Sequence, residues 1–298
     1  MNLVRVPASS ANLGPGFDAL ALALGLHLEC SFRRADGLRI EVSGRDHDLI
    51  PADETNLIWR TAVAAARAEG GEMPLLDLEI RNEIPVGKGL GSSAAALVAA
   101  LAIANRVLCF GWSRARILDD AARLEGHPDN VAACVLGAFV VTATGCDGRT
   151  HAVRLPMPDG FRVAAVVPSY QLPTSKMRAV LPGGYSSADA IFNLQRAALL
   201  VAALATGNRD AFPTALEDRL HQPYRAAVVP GLEEILALRA PGLLGCALSG
   251  AGPSILVFYE QGYDSVCDLV RQIFKLHGHD SETLFAHIAD HGFELTAD

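Results

Sequence analysis

Pro85-Val86-Gly87-Lys88-Gly89-Leu90-Gly91-Ser92-Ser93-Ala94-Ala95-Ala96 is the stretch on which the reading of this chain turns. It follows an alternating run with Leu76, Leu78 and Ile80 and opens an alanine-rich run over residues 94–110, so it joins a strand to a helix. Three glycines at alternate positions lack a Cβ, which permits positive φ and close approach of a ligand to the backbone. Ser92 and Ser93 stand where the helix begins, and the unpaired N–H groups and helix dipole there favour an anion. A hydroxyl at that place can also reach a phosphate-bound Mg²⁺. The G-x-G-x-G spacing lacks the G-K-S or G-K-T ending of a Walker A loop, and it is not the G-x-G-x-x-G dinucleotide fingerprint. Taken alone, the loop reads equally well as an ordinary glycine turn before a helix.

Outward from the loop, residues 1–6, 26–32, 38–42 and 76–80 read as strands and residues 55–69 as a helix closed by Gly70-Gly71. Ser113 can cap a helix that runs to Glu125, where Gly126 stops it, and residues 137–143 read as a buried strand. Asp147-Gly148 marks a turn, and Pro156-Met157-Pro158-Asp159-Gly160 a break between units, expected at 1–158 and 159–298. The second unit reads as strand 161–167, helices 187–206 and 232–239, strands 244–248 and 254–259, helix 263–276 and strand 284–289. This order fits α+β better than regular βαβα alternation.

A chain of 298 residues, half of them apolar and 19% charged, has globular composition with room for two modest domains. A net charge of -8, with no basic tail, gives no nucleic-acid footprint, although a few local donors can still hold a phosphate. Six cysteines without a C-x-x-C pair read as reduced thiols. The first residues lack the charged and apolar regions of a signal peptide, and the apolar run 94–104 is too short to span a bilayer. A cytoplasmic protein without a membrane or nucleic-acid partner is expected. His277, His279, His287 and His291 match no common metal-site spacing.

Three other segments accompany the loop. They are Pro7-Ala8-Ser9-Ser10-Ala11-Asn12-Leu13-Gly14-Pro15-Gly16-Phe17-Asp18, Glu125-Gly126-His127-Pro128-Asp129-Asn130 and Leu248-Ser249-Gly250-Ala251-Gly252-Pro253-Ser254. On their own, Asn12 suits a turn, Asp18 could cap a short helix and Glu125 reads as a solvated helix-end carboxylate. Together, over residues 7 to about 259, the four segments resemble the motifs of the GHMP kinases, the family of galactokinases, homoserine kinases, mevalonate kinases and phosphomevalonate kinases. The wording N-L-G-P-G-F-D and H-P-D-N is similar to the homoserine-phosphorylating members in particular.

The resemblance implies an α+β, GHMP kinase-like two-domain fold: an N-terminal mixed sheet with a left-handed βαβ crossover and a C-terminal ferredoxin-like domain, with the active site between them. It implies ATP on Pro85, Val86, Gly87, Lys88, Gly89, Leu90, Gly91, Ser92, Ser93, Ala94 and Ala95, and Mg²⁺ on Ser93 and Glu125. The implied acceptor is a small molecule, L-homoserine, met by Asn12, Asp18, His127, Asp129, Thr174, Arg178, Arg225 and Gly250. Asn12, Asp18, Lys88 and Asn130 are expected at the chemistry, Lys88 as a counter-charge to the phosphates. Asn130 stands where mevalonate kinase-like members have an aspartate, and an amide cannot take a proton, so no dedicated base is expected. Arg178 lies in Thr174-Ser175-Lys176-Met177-Arg178 and Arg225 in Asp218-Arg219-Leu220-His221-Gln222-Pro223-Tyr224-Arg225. A guanidinium fork suits a carboxylate, and the alternative for either is a surface arginine. A homodimer is expected from the same resemblance. The chain departs from the pattern at Ala133-Cys134, where proline is common after D-N-V-A, and at Ala138, where a second glycine usually follows Gly137. Rival readings are another kinase of the family or an inactive, ligand-sensing relative.

Overall fold

The structure, a computed structural model, describes residues 1–297. The chain opens with β1 (Asn2–Ala11) and β2 (Leu20–Arg34), an antiparallel pair. β3 (Arg39–Gly44), α1 (Leu57–Ala68) and β4 (Leu76–Asn82) form a βαβ unit in which β3 and β4 pair in parallel. α1 starts later than residue 55 because Asn56 caps it, its Oδ1 accepting from Ile58 N at 2.9 Å. α2 (Ser92–Leu108), α3 (Arg114–Glu125) and α4 (Asp129–Leu136) follow. α2 buries every residue from Leu97 to Ala104, and its alanines let it lie close to β1 and α1. β5 (Phe139–Thr144) and β6 (Thr150–Leu155) make a hairpin around Gly148, with β5 also paired to β2.

The second half begins with β7 (Phe161–Pro168) and continues through α5 (Thr174–Ala179), α6 (Ser187–Thr206), α7 (Phe212–Ala215), α8 (Gln222–Arg225) and α9 (Leu232–Ala237). β8 (Leu243–Leu248), β9 (Ile255–Glu260), α10 (Val266–Leu276), β10 (Ser281–Leu284) and β11 (Glu294–Ala297) complete it. The four-stranded sheet has the order β10-β7-β9-β8, all antiparallel, which is the ferredoxin-like order. The seven-stranded sheet runs β11-β1-β2-β4-β3, with β5 on β2 and β6 on β5. One parallel pair among antiparallel ones makes it a mixed sheet.

Two expectations need correction. The strand expected at 284–289 is β10, Ser281–Leu284. Residues 286–289 instead leave the second sheet and lie against the first, where Gly25 N donates to His287 O and Ala138 N to Ala289 O. β11 then pairs with β1, so the stretch 159–298 does not keep its own C-terminal end. Among the described residues α6 is long and apolar enough, by length and composition alone, to cross a membrane. Its polar residues are nevertheless partnered within the protein. Asn193 bonds Pro15 O and Asp218, Arg196 pairs with Glu217, and Asp189 with Arg219.

Candidate active site

Gly87, Gly89 and Gly91 all sit at left-handed φ, at 69°, 80° and 72°. The close approach that they permit is, at two of them, to the protein itself. A Cβ on Gly89 would fall 2.3 Å from Ser249 O, and one on Gly91 would fall 2.0 Å from Ser9 Oγ. The loop is thus clasped by the first and last motifs. Ser9 N donates to Leu90 O at 3.1 Å, Ser249 Oγ to Gly89 O at 2.7 Å and Ser254 N to Lys88 O at 3.2 Å. Asp46 Oδ2 accepts from Val86 N at 2.8 Å. Gly91, the N-cap of α2, has no side chain with which to satisfy the first-turn N–H groups, so those donors remain for a ligand.

The helix tip opens on a cavity of about 380 Å³. Val86, Gly87, Gly89, Gly91, Ser92 and Ser93 line it beside an apolar stretch that includes Leu49, Ile50, Pro51, Leu57 and Ile58. Asn12, Asp18, Glu125, His127, Asp129, Asn130, Thr174, Arg178, Arg225 and Gly250 supply its polar lining. Ser93 Oγ donates to Glu125 Oε2 at 2.9 Å, which sets two hard oxygen groups side by side at the tip of α2. His127 Nδ1 lies 2.6 Å from Asp129 Oδ1, and one oxygen or nitrogen from each of Asp18, His127 and Asp129 falls within 4.8 Å of the others. Burial alone would lower the His127 pKa, but the Asp129 hydrogen bond and the Asp129, Glu125 and Asp18 charges outweigh it and raise it.

The two arginines flank Phe17, their guanidinium carbons 5.7 Å (Arg178) and 5.5 Å (Arg225) from its ring centre. Arg178 forks onto Asp18 at 2.9 and 3.3 Å. Arg225 is 1% exposed, and burial followed by Arg178 pushes its pKa down to about 10. Its Nη1 donates to Gly250 O and His221 Nδ1, both at 3.0 Å, and its Nε to Met177 O at 3.3 Å. His221 Nε2 in turn bonds Gly14 O at 2.7 Å, so the ring is the Nε2–H tautomer that leaves Nδ1 free to accept. Burial lowers the His221 pKa, in keeping with that neutral form.

Some expected site residues do other work. Pro85, Leu90, Ala94 and Ala95 are buried beneath the loop and do not line the cavity. Lys88 is the clearest correction: its Nζ donates to Pro168 O at 2.8 Å and Tyr170 O at 2.6 Å, outside the cavity lining. Asn12, at φ 69°, spends its amide on Gly250 O (2.9 Å) and on Asp18 N (3.0 Å), holding the first turn to the last motif. Asn130 Oδ1 accepts from Ser9 Oγ at 2.8 Å. The apolar lining from residues 49 to 58 escaped sequence reasoning. Leu49-Ile50-Pro51 carries no chemistry-bearing side chain, and the signal at hand was only the Asn56 helix cap.

A family model described as GHMP kinases N terminal domain matches residues 56–138, and one described as GHMP kinases C terminal matches residues 200–268. The chain belongs to the GHMP kinases. Among relatives of this GHMP kinase, the homoserine kinase of Solibacter usitatus is 65% identical over 293 residues, covering 98% of this chain and 96% of that one. The homoserine kinase of Deinococcus radiodurans is 46% identical over 259 residues, covering 87% and 84%. In three dimensions this GHMP kinase is similar to the homoserine kinase of Cytophaga hutchinsonii, with TM-score 0.82, 26% identity and coverage of 99% and 96%. A mevalonate diphosphate decarboxylase from Staphylococcus aureus, with TM-score 0.68 and 16% identity, shares the fold alone.

Proposed function

We propose that this GHMP kinase transfers the γ-phosphoryl group of ATP to the hydroxyl of L-homoserine, giving O-phospho-L-homoserine for threonine biosynthesis. The observation that carries the reading is the meeting of Arg178, Arg225 and Asp18 in the cavity onto which Ser92, Ser93 and the open N–H groups of α2 face. Cations and a carboxylate side by side suit a zwitterionic acceptor, and a helix tip suits a polyphosphate. The printed names of the homoserine kinases from Solibacter usitatus and Deinococcus radiodurans support the same acceptor.

In this reading the acceptor's carboxylate meets Arg178 and Arg225, its ammonium meets Asp18, and Thr174, His127 and Asp129 line its pocket. The apolar stretch at Leu49, Ile50, Pro51 and Leu57 takes the adenine, a flat apolar group. Ser93 and Glu125 offer adjacent oxygens that fit Mg²⁺, a hard cation content with few protein ligands, and the ion would neutralise phosphate charge. Phosphoryl transfer through a loose transition state needs positioning and charge stabilisation more than a strong base. Asn130 has no proton-accepting group, so proton loss is late, to phosphate or water. A large rate gain in Asn130→Asp would contradict that.

A cytoplasmic homodimer belongs to the same reading, with exposed Ile191 and Leu194 of α6 as apolar surface available to a second copy. Sedimentation of the purified chain tests the dimer. ADP release measured over a panel of L-homoserine, mevalonate and galactose tests the acceptor, with L-homoserine expected to drive turnover. Turnover with another acceptor would make it a different kinase of the family. Binding of L-homoserine without ADP release would make it a sensor.

A further inference from the structure

We propose that Lys88 is a positioning residue that ties the phosphate-binding loop to the segment carrying Thr174 and Arg178, so that nucleotide on the loop tightens the grip on the acceptor. The inference rests on the proposed reading that nucleotide and amino-acid acceptor share the cavity. Lys88 is 8% exposed, and two of its three N–H groups are spent on the carbonyls of Pro168 and Tyr170. Pro168 is the last residue of β7, and Tyr170 lies just ahead of Thr174, the first residue of α5. α5 carries both Thr174 and Arg178. The acceptor-side segment is therefore suspended from a point gripped by Lys88, the residue between Gly87 and Gly89 of the glycine loop.

Two neighbouring links run the same way. Gln171 Nε2 donates to Val86 O at 3.2 Å, so a second residue of the 168–174 connection holds a second residue of the loop. Asp46, which accepts from Val86 N, adjoins Arg45, and Arg45 is hydrogen-bonded to Glu282 of β10. β10 is paired with β7, Ser281 opposite Pro168. The charged groups facing Lys88 are Asp46 and Glu282, which favour its charged form, while burial opposes it. Neither carboxylate is among its hydrogen-bond partners, which are both carbonyls. An ammonium so committed acts through what it holds. Two ligands that bias one shared element are coupled, and the coupling is reciprocal.

Calorimetric titration separates this role from a merely structural one. The Kd of L-homoserine is measured with and without a non-hydrolysable ATP analogue in the parent, Lys88→Met and Lys88→Arg. In the parent the analogue is expected to tighten the acceptor about fivefold or more. In Lys88→Met the ratio falls to within about twofold of one, and in Lys88→Arg it is partly restored. Gln171→Ala, at an exposed position, lowers the ratio by less and serves if Lys88→Met does not fold. A ratio of one in the parent, or a parent-like ratio in whichever variants fold, overturns the proposal. So does a selective loss of ATP over ADP affinity with the ratio kept, because that assigns Lys88 to the phosphates. A parent that neither binds nor phosphorylates L-homoserine overturns the functional reading and this inference with it. A parent that turns over L-homoserine while the ratio ignores Lys88 overturns the inference alone.

Discussion

Arg225 shows how much of a single side chain's role depends on its neighbours. Its guanidinium is 1% exposed, held by Gly250 O, His221 and Met177 O, with its pKa drawn down to about 10, and in the proposed reading this fixed cation meets the acceptor's carboxylate. Arg225→Met is therefore expected to raise the acceptor KM by an amount equivalent to about 2–5 kcal/mol while changing the ATP KM far less, as steady-state kinetics with each substrate varied will read. His127 gives a prediction in pH. Its pKa is raised above the ordinary 6.5, so its contribution to stability is fully present below the unfolded value and is lost as pH rises through the folded one. The Tm gap between the parent and His127→Gln should be widest near pH 5 and shrink towards about pH 8. That Arg178, Arg225, Asp18, Ser93 and Glu125 line one cavity was legible because motif wording carries side-chain identity. What Lys88 and Asn12 touch was not, because a loop residue's partners lie 80 and 238 positions away along the chain.

At the scale of elements, the glycine loop and α2 work as one clasped unit. Gly89→Ala combines a left-handed φ with a Cβ 2.3 Å from Ser249 O. The backbone strain alone costs about 1–3 kcal/mol. The variant should melt at lower temperature and bind ATP more weakly, as thermal denaturation and nucleotide titration will read. Gly70→Ala, also at positive φ but with open space around its Cβ, should melt closer to the parent. The helices α3 and α6 were readable because cap and glycine stop agree in each: Ser113 and Gly126 bound α3, and Ser186 and Gly207 bound α6. β6 was not. Its residues Thr150–Leu155 form a half-exposed outer strand whose existence depends on β5 beside it, not on a strong pattern of its own. Residues 284–289 misled for the opposite reason, being apolar enough to look like a strand while covering β2 from outside the second sheet.

Across the whole molecule, the two sheets are locked at the loop and again at the chain's far end. β11 covers the edge of β1 in four register pairs, from Asn2 opposite Ala297 to Arg5 opposite Glu294. Deleting residues 294–298 should cost on the order of 2–4 kcal/mol, from ladder hydrogen bonds at about 0.5–1.5 kcal/mol each. Denaturant unfolding followed by far-UV CD will measure it, and a midpoint equal to the parent's would contradict the bracing role. The sequence could not announce this return. Four residues at an outer edge carry too little period, and the Pro156–Gly160 break had suggested that everything beyond it stays together. The pairing also bears on how the protein is born. Among the described strands β1 is the first in the chain and β11 the last, so this edge of β1 stays open until residues 294–297 have been made. Until then an exposed strand edge is on offer to other chains, which makes this a protein whose nascent form profits from chaperone cover.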